Sequence, residues 1–191
     1  GTLAQMKLNQ IALLGVIAVL GILTMTTPAN AAAGAPVAHL NLSADDRATL
    51  QTIHQQAHSD LVDNVLPFWT RHTVDPNGGF NTVVDQVGKP INDRRFIVMQ
   101  ARTVWTLSSC QRYGVKNAQY LEWARKGAHF ITDKMWDPEY GGFYMIVNPD
   151  GSVVRDDKYL YSQGFVLYAL AEYSRVAPSA DERKWALDWC A

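Results

Sequence analysis

One charged side chain stands inside a strongly apolar segment of this chain. Arg102 lies within the run Phe96 to Leu107, whose residues are mostly apolar and predict a helix covered on several sides. A buried guanidinium is costly unless it is paired with a carboxylate or faces a ligand. The residues alone therefore leave two explanations open: a structural ion pair with Asp85 or Asp93, or a ligand-binding site.

The histidines do not form a recognisable catalytic or metal site. His54 and His58 are four residues apart, as metal ligands on a helix can be, but the residues between them lack the glutamate of a zinc protease. The other three lie in a linker, at a helix end and on an amphipathic helix: His39, His72 and His129. The two cysteines fit no metal motif either. We therefore expect no metal and no cofactor.

The elements that must position Arg102 belong to a repeated unit. The run Asp137 to Phe143 echoes Asp75 to Phe80, and Gly142 lies 63 positions after Gly79. The same offset makes Phe165 the equivalent of Arg102 in the second unit, so the fold does not require a charge at that position. A repeat of this length predicts stacked supersecondary units, none of which buries its apolar face alone. Asp75 and Asp137 precede prolines in the repeated turns, which turn chemistry explains better than catalysis.

Each unit pairs a one-sided helix with an all-round apolar one. A capping box at Ser43 opens the first helix, whose stripe is Leu50, Ile53, Ala57 and Leu61, and Asn92 or Asp93 is expected to cap the second. Asn117 opens the third, residues 158–176 form the fourth, and Ser179 with Glu182 opens a fifth. Hairpins are expected over 80–91 and 143–154. This alternation is typical of two concentric rings, so we predict an all-α fold, an incomplete α/α barrel of about five helices with short β-hairpins in the helix–helix loops.

The composition and the amino-terminal residues limit which partners and which location can be expected. The chain has 48% hydrophobic and 18% charged residues and a net charge of -1, so nucleic acid is not an expected partner. Residues 1–5 read as an upstream extension, 6–31 as a secretory signal peptide ending at Ala31, 32–41 as a linker and 42–191 as the folded domain. The apolar run Ile11 to Met25 is shorter than the roughly 20 residues that cross a bilayer. We expect export to the periplasm or medium, with no stable membrane anchor.

Several motifs in the right order resemble the amino-terminal part of the N-acylglucosamine 2-epimerase family. They are Leu66-Pro67-Phe68-Trp69-Thr70-Arg71-His72, Asp75-Pro76-Asn77-Gly78-Gly79-Phe80, Gln100-Ala101-Arg102-Thr103-Val104-Trp105 and Tyr161-Ser162-Gln163-Gly164-Phe165. The resemblance implies an (α/α)6 barrel that epimerises or isomerises open-chain sugars through an enediolate. It identifies the chain as similar to cellobiose 2-epimerases, mannose 2-epimerases and aldose–ketose isomerases, with a mono- or disaccharide as substrate.

The resemblance also assigns substrate contacts. Arg102 matches an arginine that contacts sugar oxygens, and Tyr161 matches a residue that reaches the pocket, although a core tyrosine bonded to a carbonyl is an equal alternative. Gln100 and Trp105 are weaker candidates, because amides and aromatics on buried helices most often serve packing or networks. The family's catalytic histidines are expected beyond Ala191. We assign no catalytic residue here and expect these 191 residues to be incomplete and inactive alone.

Two other functions remain open. An α/α barrel can also host a glycoside hydrolase, whose two carboxylates would lie at inner-helix ends. Asp93, Asp156 and Asp157 occupy such ends, but all three are also natural helix caps. A non-catalytic sugar-binding protein is the third hypothesis. The residues do not indicate which sugar is bound or the oligomeric state.

Overall fold

The computed structural model describes residues 41–191, which fall into two compact units, residues 41–67 and Phe68–Ala191. The helices are α1 (Ala44–Asp60), α2 (Leu66–Thr73), α3 (Ile97–Arg112), α4 (Ala118–Lys134), α5 (Leu160–Ser174) and α6 (Ala180–Asp188), with a π-helical turn (Leu61–Val65) between α1 and α2. The strands are β1 (Arg95–Phe96), β2 (Ile146–Val147) and β3 (Val153–Arg155). With α1 and α2 taken as one helical region, the five predicted helices are present. The predicted signal peptide and almost all of the linker lie outside the described residues.

The first unit begins with the predicted capping box. The Ser43 hydroxyl accepts from the Asp46 amide, and the Asp46 carboxylate accepts from the Ser43 amide in return. The predicted apolar stripe is covered only at its end: Leu61 is buried, whereas Leu50 and Ile53 are 51% and 54% exposed. The spacing of the apolar residues therefore predicts that this segment is helical, but it does not predict that the apolar face is buried.

Helix α3 is the all-round buried helix that the sequence predicts. Ten of its residues are buried, among them Ile97, Ala101 and Val104. Its predicted cap is wrong, because the helix begins at Ile97 with Phe96 as the N-cap residue. The chain before it is extended, since Arg95 and Phe96 pair with Val147 and Ile146 as strand β1.

Helix α4 confirms the predicted one-sided pattern. Asn117 caps its start by accepting from the Gln119 amide, and Ala124, Ala128 and Ile131 are fully buried. Gly127 lets the helix approach its neighbours closely. A Cβ atom at this position would overlap the Phe80 ring and lie within contact of Val104.

The hairpins are shorter than predicted, and the second is the better formed. Strands β1, β2 and β3 make one antiparallel sheet in that order, with the turn at Asn148 to Gly151. The first hairpin holds only the single bridge between Val84 and Pro90. Two backbone bonds flank this bridge, from the Asp85 amide to the Lys89 carbonyl at 2.8 Å and from the Ile91 amide to the Val83 carbonyl at 2.9 Å.

The two repeats fold alike. The Val84–Pro90 bridge has its counterpart in the Val147–Val153 pair of the second hairpin, and Val74–Phe80 has its counterpart in Trp136–Phe143. The side-chain amide of Gln100 binds both backbone groups of Phe80, and Gln163 binds Phe143 in the same way. The repeat inferred from the sequence is therefore a repeat in three dimensions.

Helices α3 and α5 pack in parallel with equivalent residues facing each other. Arg102 contacts Phe165, Trp105 contacts Tyr168 and Ser109 donates to Glu172. Each partner lies 63 positions after the other, and the pairs follow the same order along both helices. A parallel arrangement follows, since an antiparallel one would reverse that order.

Helix α5 is apolar nearly all round, as the sequence indicates, but within the described residues only part of its circumference is covered. Leu160 is 89% exposed and Leu167 is 44% exposed, and Tyr161 and Tyr168 are also open to solvent. Only the faces toward α3, α4 and α6 are covered. The capping box at Ser179 is half formed: the hydroxyl accepts from the Glu182 amide, but the Glu182 carboxylate instead binds Tyr173 and His129.

Candidate functional site

Five side chains from α3 and α5 form an aromatic cluster around a single cation. Its members are Arg102, Trp105, Tyr161, Phe165 and Tyr168. The Trp105 and Tyr168 rings stack with centroids 4.9 Å apart and planes 14° apart. Tyr161 meets the Phe165 ring edge to face at 4.9 Å, and Phe165 meets Tyr168 in the same way at 6.3 Å. The cluster begins near the amino-terminal ends of both helices.

Arg102 is the cation of the aromatic cluster, and within residues 41–191 it forms no ion pair. Its Cζ lies 5.8 Å from the Phe165 ring centroid. Its Nε and Nη2 atoms are buried, and within residues 41–191 neither has a hydrogen-bond partner. Buried donors are almost always satisfied, so an unsatisfied pair needs an explanation. A ligand oxygen that accepts from both nitrogens would provide one.

The proposed ion pairs of Arg102 do not form. The Asp85 carboxylate accepts from the amides of Val87 and Lys89 at 3.0 and 2.8 Å, so it closes its own hairpin turn. Asp93 contributes a backbone carbonyl to Arg95. Of the two explanations that the sequence left open, the structure removes the structural ion pair with these carboxylates.

Tyr161 is an exposed member of the aromatic cluster. Its side chain is 68% exposed within residues 41–191, so it is not a core tyrosine of the described part of the chain. Within the described residues its hydroxyl has no hydrogen-bond partner, so it is free to bind a ligand. The exposed phenol and the buried guanidinium are linked through the Phe165 ring that both contact.

Trp105 and Gln100 are both buried, in contrast to Tyr161. Trp105 is nearly fully buried and stacks on the Tyr168 ring. Gln100 is fully buried, and its amide oxygen and nitrogen each lie 2.7 Å from the Phe80 backbone. The structure favours the network alternative for Gln100, while a sugar contact by Trp105 stays a prediction.

Electrostatics tie the aromatic cluster to a buried carboxylate farther along α5. Glu172 binds Arg112 at 2.6 Å and accepts from Ser109 at 3.2 Å. Burial raises the pKa of Tyr168, the nearby Glu172 raises it further, and Arg102 opposes both. This role of Glu172 was not predicted, because a glutamate on an apolar helix is recognised only once its partners are known.

The ion pairs that stabilise the two repeated turns were also not predicted from the sequence. Asp75 binds the fully buried Arg95 at 2.5 Å, and Asp137 binds Lys158. Both aspartates also accept from amides of their own turns, as the turn prediction requires. The signal was available, since Lys158 lies 63 positions after Arg95 and the positive charge is kept.

The histidines and the hydrolase candidates lie elsewhere. Within residues 41–191 no group of three or more His, Cys, Asp or Glu side chains could hold a metal ion. His129 binds Glu182 at 2.8 Å and stacks on Trp185, which accounts for it structurally. Asp157 pairs with Arg155, and neither it nor Asp93 is an N-cap residue, so the predicted caps are wrong.

Comparison with known proteins gives this arrangement a family. The sequence profile described as N-acylglucosamine 2-epimerase (GlcNAc 2-epimerase) matches residues 78–190. This chain belongs to the N-acylglucosamine 2-epimerase family. The prediction made from the motifs around Arg102 and Tyr161 is thereby confirmed at the level of the family.

Individual relatives agree. The chain is 27% identical to the cellobiose 2-epimerase of Bacteroides fragilis over 72% of this chain and 35% of that protein. It is 28% identical to the human N-acylglucosamine 2-epimerase over 68% and 31%. The solved cellobiose 2-epimerase of Spirochaeta thermophila superposes with a TM-score of 0.66 at 32% identity, over 75% of this chain and 35% of that one. The match confirms the α/α barrel class, and the chain spans about a third of the length of these relatives.

Proposed function

We propose that the aromatic cluster binds the reacting end of an open-chain sugar during 2-epimerisation or aldose–ketose isomerisation. The observation that carries the proposal is Arg102, whose two buried and unpartnered nitrogens lie among aromatic rings in a chain of the sugar epimerase family. The guanidinium donors suit neighbouring sugar oxygens. The aromatic rings suit the apolar faces of a sugar, and Tyr161 adds a hydroxyl.

The reaction explains why a cation is needed. Removal of the proton on C2, next to the aldehyde, leaves an enediolate whose oxygen carries negative charge. A positioned donor that meets this charge lowers the barrier more than it lowers the energy of the substrate. Returning the proton to the opposite face of C2 gives the epimer, and returning it to C1 gives the ketose. We assign Arg102 to the enediolate oxygen and Tyr161 to a sugar hydroxyl.

The acid and base are proposed to be histidines outside this chain. Histidine changes its charge near neutral pH and suits both roles. Of the histidines that the structure describes, His129 is already bound to Glu182. The other three are far from the aromatic cluster along the sequence: His54, His58 and His72. We therefore propose that these 191 residues alone bind sugar weakly and do not turn it over.

The experiment uses a complete protein that contains this domain. Arg102→Ala should lower kcat/KM for sugar epimerisation about a hundredfold, which corresponds to roughly 3 kcal/mol in the transition state. Arg102→Lys should recover only part of the loss, because an ammonium cannot present two parallel donors. In deuterated water the product should carry deuterium at the reacting carbon without a change in chain length. A shorter sugar product would instead indicate a glycoside hydrolase, and binding without either product a sugar-binding protein.

Export is a separate proposal. Residues 6–31 carry the pattern of a secretory signal peptide, so the mature chain should begin at Ala32. Within residues 41–191 no helix is long and apolar enough to cross a membrane. Mass spectrometry of the protein from the outer compartment tests the cleavage site, and a membrane-retained chain beginning at Met6 would contradict it.

A further inference from the structure

Arg102 has one complete edge of its guanidinium group without an acceptor. Within residues 41–191 the unpartnered nitrogens are Nε and Nη2, whose N–H bonds run parallel along the same edge of the planar group. Such an edge matches the two oxygens of a carboxylate, which accepts two parallel hydrogen bonds from it. A single hydroxyl oxygen matches it less well. The edge therefore favours a ligand whose two neighbouring oxygens share a negative charge.

The amino-terminal ends of α3 and α5 add positive charge on the side toward which Arg102 points. The two helices are parallel, so the positive ends of their dipoles lie together, and long helical side chains lean toward that end. Helices α1, α4 and α6 each begin with a side-chain cap. Phe96 and Tyr159, which precede α3 and α5, provide none. A cation near such an end is unfavourable unless an anion accompanies it.

The carboxylates close to these helix ends in the sequence already have cationic partners. The pairs are Asp75 with Arg95, Asp137 with Lys158, and Asp157 with Arg155. None of the ion pairs formed within residues 41–191 includes Arg102. Its charge is therefore available to an anionic ligand.

We propose that the Nε–Nη2 edge of Arg102 binds the carboxylate of an aldonate, the open-chain acid formed when an aldose is oxidised at C1, and that aldonates inhibit this protein. The proposal rests on the proposed function, because the acid would occupy the place of the reacting end of the sugar. Like the enediolate, a carboxylate is planar and negatively charged and has two neighbouring oxygens. Stable mimics of a charged intermediate bind more tightly than the neutral substrate. Oxidation of the same aldose at C1 would then produce an inhibitor of its epimerisation.

Phe165 is the side chain that such a ligand has to displace. Its ring lies 5.8 Å from Cζ of Arg102 and 4.9 Å from the ring of the exposed Tyr161. Phe165 is itself only partly buried, so its ring has room to move toward solvent. The Tyr161 hydroxyl would then meet the polyol chain of the aldonate.

The first test compares ligands that differ only at C1. Gluconate, gluconamide and glucitol carry a carboxylate, a neutral amide and an alcohol on the same polyol chain. Their binding to a full-length protein that contains this chain is measured by titration calorimetry at constant ionic strength and about pH 7, where a carboxylic acid is ionised. Gluconate should bind about tenfold more tightly than either neutral ligand. Equal affinities for the three ligands would overturn the proposal without the need for any variant.

Two arginine variants locate the binding site. Arg102→Met should abolish the preference for gluconate, whereas Arg102→Lys should keep part of it. Arg94→Met is the matched control, because Arg94 is an exposed arginine that lies just before the same helix but outside the aromatic cluster. This variant should keep the full preference. A preference that survives in Arg102→Met, or that Arg94→Met also removes, would show that general surface charge attracts the anion and would refute the site.

Inhibition kinetics separate this inference from the proposed function. Gluconate should inhibit sugar epimerisation competitively, with an inhibition constant about tenfold below that of glucitol. Turnover that gluconate inhibits no better than glucitol would contradict the inference and leave the proposed function standing. Binding of gluconate that depends on Arg102, in a protein that turns over no sugar, would instead support the carboxylate site and contradict the proposed function.

Discussion

Replacing Arg102 by methionine should make the fold more stable. Its Nε and Nη2 atoms are buried without partners, and a buried unsatisfied donor costs about 1–3 kcal/mol. The contact with the Phe165 ring returns about 1–2 kcal/mol at 5.8 Å. Methionine keeps the length of the side chain and removes the charge. The net gain in the free energy of unfolding should be about 2 kcal/mol.

Arg95→Met is the matched control for this prediction. Arg95 is also fully buried, and it lies just before the same helix, but it is paired with Asp75 and donates to the Asp93 carbonyl. Burial lowers the pKa of Arg95 and Asp75 opposes that shift, as expected for a charge whose burial depends on its partner. Removing one member of a buried pair strands the other, at a cost of about 3 kcal/mol.

Urea denaturation followed by tryptophan fluorescence measures both changes. With a slope of about 2 kcal/mol per molar urea, the midpoints should move by about 1 M or more in opposite directions. If Arg102→Met lowers the midpoint as Arg95→Met does, then Arg102 is a structural residue. The assignment of its two free nitrogens to a ligand would then be wrong.

Three further outcomes test the repeated loops and the cysteines. Gln100→Leu should destabilise the chain by about 2–4 kcal/mol, because it leaves two buried backbone groups of Phe80 without partners. The loss should be larger than that of Gln163→Leu, whose site is only partly buried, and equal urea midpoints for the two variants would contradict this. Lys158 and local amides lower the pKa of Asp137 from 3.8 to about 2, so this carboxylate stabilises the fold above pH 4 and the contribution is lost as pH falls from about 4 to 2. Asp137→Asn should abolish that part of the acid transition in a pH titration of the urea midpoint, and an unchanged profile would exclude the pair as its source. Burial raises the pKa of the Cys110 thiol to about 12, so it should react with a thiol reagent only after unfolding, whereas the half-buried Cys190 should react in the native state.

Local chemistry was predictable from the sequence, and non-local pairing was not. Ser43 and Asn117 cap their helices as expected, because a cap bond joins residues two or three positions apart. The start of α3 was misplaced because β2 draws Arg95 and Phe96 into a strand from about fifty residues away. A pattern within one segment carries no information about such a partner.

The same distinction holds for the candidate site: its residues could be identified from the sequence, but their contacts could not. Arg102 stands out in the sequence because a charge on an apolar helix is rare, and because its repeat equivalent Phe165 is uncharged. That it is unpaired could not be predicted, since Asp85 was an equally good partner until the structure showed it closing its own turn. The exposure of Tyr161 depends on which helices surround α5, and that too is a property of the assembled fold.

The contact between Arg102 and Phe165 has a consequence for how such a site can arise. The two residues are the same position in successive copies of one unit, and the parallel packing of α3 and α5 brings them together. Duplication of a unit therefore supplies two adjacent positions that can mutate independently. One copy can acquire a cation while the other keeps an aromatic ring that shields it, so the second residue of the pair evolves as the environment of the first. Two helices of the same repeat can therefore form an asymmetric contact surface when the side chains at a single equivalent position differ.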